Sequence, residues 1–100
     1  MKSALDKFIP KRLLLIRQEH SLSQQQMADL LKVSKPYYNR LENGTRAISE
    51  IQINTIAQQF VIDEIELSSF NLADKIESLL EKVPETVAKR AMKLLNERIK

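Results

Sequence analysis

The sequence predicts an all-α fold, and two observations carry that prediction. A single Gly and three Pro in 100 residues leave few interruptions. Ser, Asp or Asn also stands repeatedly just ahead of apolar residues spaced at i, i+3, i+4 and i+7, the pattern of capped amphipathic helices. The expected architecture is five helices closing one unit over residues 7–69, followed by a C-terminal helical segment over 71–100.

Residues 1–8 are expected to form a loose arm. Pro10 then opens a helix to about Glu19, with Ile9, Leu13 and Ile16 as its core stripe. Leu14 and Leu15 fall off this stripe and either cover a second surface, offered by the C-terminal helices or another subunit, or are simply exposed. Ser21-Leu22 connects to Ser23, an N-cap whose hydroxyl can accept from a first-turn amide, with Gln26 at the N3 position of a capping box. Met27, Ala28, Leu30 and Leu31 give this second helix its buried face. Only Lys32 and Val33 then remain to turn the chain before Ser34 repeats the capping signal. Pro36 falls in the next first turn, where its missing N–H breaks no helical bond. The third helix, Lys35 to Asn43, has one apolar stripe in Tyr38 and Leu41; Lys35, Asn39, Arg40 and Asn43 point the other way. Gly44 ends it in the left-handed conformation. A spacing this short forces two helices to cross steeply, and residues 23–44 therefore read as a helix-turn-helix.

After a loop over Thr45 to Ile48, Ser49 caps a fourth helix from Glu50 to Phe60, with Ile53, Ile56, Ala57 and Phe60 inward. Asp63 caps a short fifth helix that is expected to end near Ser69. Asn71 is then read as the cap of a sixth, carrying Leu72, Ile76, Leu79, Leu80 and Val83, and Pro84 introduces a last helix with Val87, Ala91, Leu94, Leu95 and Ile99. An amphipathic pair beyond a finished domain needs a cover, supplied either by the first helix or by a second copy of the chain; the preferred reading is a homodimer.

Charge sharpens the functional reading. Residues 1–46 hold nine Lys/Arg against four Asp/Glu, residues 47–84 two against seven, and residues 85–100 five against two. The basic excess thus coincides with the helix-turn-helix, the electrostatic footprint of a nucleic-acid binder. With no Cys there is no disulfide framework, thiol sensor or Cys-based metal site, and the lone His20 cannot make a metal site by itself. No Gly-rich phosphate loop or catalytic constellation is visible, so neither an enzyme nor a cofactor is expected. No apolar run is long enough to cross a membrane, and the first residues lack the apolar core of a signal peptide; the expectation is a cytoplasmic protein.

Residues 9–69 resemble the phage repressor and Cro type of helix-turn-helix domain, the xenobiotic response element family with its five-helix lambda-repressor-like fold. The resemblance rests on Leu22-Ser23-Gln24, Met27-Ala28, Val33-Ser34, Arg40-Leu41-Glu42-Asn43-Gly44 and Ile56-Ala57. Ser21, Lys32 and Val61 stand where the family often carries Gly, which bears on turn geometry if the backbone there needs positive φ. The resemblance implies a regulator of transcription, most simply a dimeric repressor on a pseudo-palindromic operator in double-stranded DNA. Lys35, Pro36, Asn39 and Arg40 would face bases, and Ser23, Gln24, Ser34, Asn43 and Arg46 the phosphate backbone. Tyr37 is either a phosphate donor or a rim residue. Arg17 and Glu42 would tie the first helix to the third. Antitoxins also use this fold, so the alternative is an antitoxin or co-repressor with a protein partner, a toxin or an anti-repressor.

Overall fold

The computed structural model describes residues 7–99, which form α1 (Phe8–Glu19), α2 (Gln24–Leu31), α3 (Lys35–Asn43), α4 (Glu50–Phe60), α5 (Glu64–Leu80) and α6 (Glu85–Ile99). The arm expected over residues 1–8 lies mostly outside the described residues; Lys7 is the N-cap of α1 and Phe8 its first residue, so Pro10 sits inside the first turn rather than opening it.

One core joins α1 to α5. Ile9, Leu13 and Ile16 of α1 meet Met27, Ala28 and Leu31 of α2, Tyr38 and Leu41 of α3, Ile48, then Ile53, Ile56 and Ala57 of α4 and Leu67 of α5. Leu22, Leu30 and Phe60 are only half-buried at its edge, whereas Leu14 and Leu15 are exposed. Burying this set removes enough apolar surface to hold a small domain together.

Three caps organise the entries to α2, α3 and α4. Ser23 and Ser49 both form complete capping boxes, with Gln26 and Gln52 at N3, and the Ser34 hydroxyl accepts from the Tyr37 amide. The exits are tighter. Ser21, Lys32 and Val61, the three positions without the family's Gly, all adopt positive φ, at 52°, 58° and 52°. A side chain there meets the following carbonyl, a strain of roughly 1–2 kcal/mol each that Gly44, at φ 81°, avoids.

The expected break after Ser69 does not exist. α5 runs without interruption from Glu64 to Leu80, and Asn71 is not a cap but a buried residue in its middle. Its amide nitrogen donates to the Ile48 carbonyl at 3.5 Å and to Glu50 Oε1 at 3.3 Å. One turn further on, the buried Asp74 supplies what α1 lacks. The Lys7 cap has no side-chain hydrogen bond to the helix, and the Asp74 carboxylate instead accepts from the Phe8 amide at 2.8 Å and the Ile9 amide at 2.9 Å. Lys7 Nζ donates to Ser78 Oγ, and the rings of Phe8 and Phe70 stack 5.3 Å apart. The second half of α5 therefore completes the N-terminal turn of α1. α6 follows Pro84 and contains no buried residue.

Candidate nucleic-acid interface

The α2–turn–α3 unit is built by local rules. The Ser23 hydroxyl accepts from the Gln26 amide at 3.0 Å while the Gln26 side chain accepts from the Ser23 amide at 2.8 Å, which satisfies two orphan donors at once. Lys32 closes α2 in the left-handed region, and the Val33 amide reaches back to the Ala28 carbonyl at 3.0 Å. Ala28, fully buried, lets α2 and α3 cross closely.

On α3, Tyr38 and Leu41 are buried, and Lys35, Pro36, Asn39 and Arg40 are exposed together on the opposite side. Lys35 and Arg40 enter no ion pair among the described residues. Ser23 and Ser34 flank this surface and are exposed, each keeping a hydroxyl proton beyond the capping bond it accepts. Gln24 and Asn43 are half-buried.

A chain of side-chain hydrogen bonds crosses the face, and its direction can be deduced. Asn43 Oδ1 accepts from the Thr45 amide at 3.1 Å and from its hydroxyl at 2.7 Å, so Asn43 must present Nδ2 to Asn39. Asn39 Oδ1 accepts that nitrogen at 3.3 Å, and its own Nδ2 donates to Gln24 Oε1 at 3.3 Å. Asn39 is thus held at both ends. To bridge an adenine it must exchange these bonds for base contacts, whereas Arg40 and Lys35 have nothing to give up.

The far side of the surface is formed by Arg46, Tyr37 and Gln52. The Arg46 guanidinium lies 4.3 Å from the Tyr37 ring centroid, a cation–π contact, and Gln52 Nε2 donates to the Tyr37 hydroxyl at 3.3 Å. The Gln52 bond first, and Arg46 second, hold the Tyr37 phenol below its ordinary pKa. Tyr37 is accordingly a half-buried residue with its oxygen engaged.

Beneath the surface, Arg17 of α1 grips Glu42 of α3 with a two-pronged fork: Nη2 to Oε1 at 2.8 Å and Nε to Oε2 at 3.0 Å. A third donor, Nη1, reaches the Leu22 carbonyl at 3.2 Å. The pair is well shielded, with 8% of the Glu42 side chain and 21% of the Arg17 side chain exposed. Burial by itself would raise the Glu42 pKa, but the Arg17 fork, followed by the Tyr38 hydroxyl and the Gln24 amide, outweighs it and holds the carboxyl below the ordinary range. The same fork raises Arg17. Tyr38 is pushed up, by burial first and then by the neighbouring carboxylate, and among the described residues its hydroxyl finds no hydrogen bond of good geometry.

Two contributors escaped the sequence reading. Gln52 carried a signal, since it stands three residues after Ser49 in a capping box; Thr45 carried none beyond its place between Asn43 and Arg46. Among the described residues there is no group of three acidic or His side chains able to hold a metal ion, and no helix long and apolar enough to cross a membrane.

Fold and surface together define a helix-turn-helix DNA-binding protein. The family model described as helix-turn-helix matches residues 13–67, more than half of the chain. The protein belongs to that family, in its phage repressor and Cro (xenobiotic response element) type, and is a DNA-binding regulator of transcription. Comparison with curated proteins and with solved structures finds no match.

Proposed function

We propose that the protein is a dimeric repressor that reads the major groove of double-stranded DNA with α3. The observation that carries this reading is the division of α3: Lys35, Pro36, Asn39 and Arg40 are exposed side by side while Tyr38 and Leu41 anchor the other face in the core. Arg40 and Lys35 suit the O6/N7 edge of guanine, Asn39 suits adenine, and Pro36 offers an apolar contact such as a thymine methyl accepts. Ser23, Gln24, Ser34, Asn43, Tyr37 and Arg46 flank these groups and are assigned to the phosphates, which set register without reading sequence. Repression by occupancy is the simplest mode for such a reader, because it asks nothing of the protein beyond binding the site.

The test is a binding-site selection from random duplexes, followed by two variants on the selected site and on random DNA. Arg40→Ala is expected to lose about 1–3 kcal/mol on the selected site and to relax preference there, whereas Arg46→Ala weakens all sequences alike and makes the salt slope shallower by about 1. Equal losses on both DNAs for Arg40→Ala would reject its base-reading role.

Dimerisation is supported by the outer faces of α5 and α6. Ile65, Leu72 and Leu79 are exposed at seven-residue spacing on α5, and Val87, Leu94 and Leu95 are exposed on α6. That spacing is the repeat of a helix–helix seam. Charge favours a second copy as the cover, because residues 47–84 carry two Lys/Arg against seven Asp/Glu and residues 85–100 five against two, so a basic α6 complements an acidic α5 of its partner. Two recognition helices held about 34 Å apart then match successive major grooves. Removal of residues 84–100 is expected to leave a folded monomer by sedimentation. An intact chain that sediments as a monomer removes the dimer and favours the antitoxin or co-repressor reading, in which another protein covers these faces.

A further inference from the structure

We propose that Gln52, on the first turn of α4, is a positioning residue for DNA binding: it turns the Tyr37 hydroxyl into an outward-facing donor for a backbone phosphate. The inference rests on the DNA-facing assignment above and adds a residue and a mechanism to it.

The direction of each bond follows from what each group is able to do. Gln52 Oε1 accepts from the Ser49 amide at 2.9 Å, and a backbone N–H only donates, so the oxygen of the Gln52 amide is fixed toward Ser49. Its nitrogen is therefore the end that meets Tyr37, and the 3.3 Å contact has Gln52 Nε2 as donor and the phenol oxygen as acceptor. Arg46, the other polar group at Tyr37, carries donors only. Among the described residues no acceptor takes the Tyr37 proton, so the proton is left for a group from outside. A phosphate oxygen is the acceptor this donor suits, since the cation of Arg46 stands over the same ring and supplies the matching charge. The capping box thus does two jobs: it begins α4, and it holds Tyr37 in the protonation geometry a phosphate needs.

The test uses a short random-sequence duplex at low salt, because a phosphate contact is blind to sequence, with affinity read by fluorescence anisotropy. Tyr37→Phe removes the donor and is expected to weaken binding about five- to tenfold. It leaves the salt slope unchanged, because a neutral hydroxyl displaces no counterion, in contrast to Arg46→Ala. Gln52→Glu keeps the acceptor for the Ser49 amide, and so the start of α4, but faces Tyr37 with a carboxylate that captures the proton inward. Its loss is expected to match or exceed that of Tyr37→Phe at an unchanged melting temperature, and to shrink clearly when introduced into Tyr37→Phe, where no proton remains to be turned. Binding by Tyr37→Phe equal to the parent overturns the proposal, as does a Gln52→Glu loss of equal size in both backgrounds. A parent chain that fails to bind the duplex overturns the underlying DNA-facing assignment and this one with it.

Discussion

Replacing Glu42 by Gln keeps the volume and one acceptor oxygen but sets an amide against the Arg17 fork. In the parent, two of the Arg17 donors lie at 2.8 and 3.0 Å from the carboxylate. In the variant one of them faces an NH2 group, and the guanidinium keeps its full charge with only neutral acceptors, the remaining amide oxygen and the Leu22 carbonyl at 3.2 Å. A deeply buried pair broken this way costs roughly 3–5 kcal/mol, and an exposed one below about 1. The carboxylate here is at the buried end, with 8% exposure, but at 21% exposure Arg17 can recover part of its hydration. The expected loss is therefore about 2 kcal/mol, which for a domain of this size lowers the melting temperature by roughly 10 °C. The pH dependence provides an internal check. The folded-state pKa of Glu42 lies below its ordinary 4.5, so the pair's contribution is fully present above that value and is lost as pH falls through the lower folded pKa. The gap between parent and variant should accordingly be full at pH 7 and close in acid, measured by thermal melts across pH. If Glu42→Gln melts with the parent at neutral pH, or if the gap persists unchanged in strong acid, the ion pair does not hold α1 to α3 and the apolar contacts of Leu13, Ile16 and Leu41 do.

Val61, 92% exposed with φ 52°, is a β-branched side chain in the left-handed region; Val61→Gly is expected to raise stability by about 0.5–1 kcal/mol, the relieved strain exceeding the added freedom of the unfolded chain, and a lower denaturation midpoint would contradict this. Asp74→Ala uncaps the Phe8 and Ile9 amides and is expected to cost about 2 kcal/mol, with accelerated amide exchange confined first to the start of α1; unchanged exchange there would show that water replaces the carboxylate. Cutting the chain after Phe70, unlike removing residues 84–100, discards both Asn71 and Asp74, and the product is expected to lose cooperative melting.

The elements whose start depends on neighbouring residues were legible in the sequence. Ser23 with Gln26, Ser34 with Pro36, and Ser49 each set a helix boundary through bonds spanning three residues, and the structure has α2, α3 and α4 beginning where those signals stand. Ser21, Lys32 and Val61 were marked only by the resemblance, as positions where the family often carries Gly, and the structure gives all three positive φ. The continuity of α5 was not legible. Asn71 has the chemistry of a cap, and what makes it a core residue is the Ile48 carbonyl, 23 positions away. Asp74 carries no signal of its own in the sequence, and its role exists only once the α1 amides are brought to it. For the interface, exposure of Lys35, Asn39 and Arg40 followed from helical periodicity, but the bonds that hold Asn39 between Gln24 and Asn43, and Tyr37 under Arg46 and Gln52, depend on how α2, α3 and α4 are packed.

The carboxylate that finishes the first turn of α1 belongs to a residue 66 positions beyond Phe8. During synthesis its two leading amides are therefore left to water until the later half of α5 has left the ribosome. The helix-turn-helix, α2 to α3, emerges well before that moment, but this contact beneath it closes only when the stretch that leads into α6 is already available. A chain released early would carry the whole helix-turn-helix and still lack the carboxylate that finishes α1.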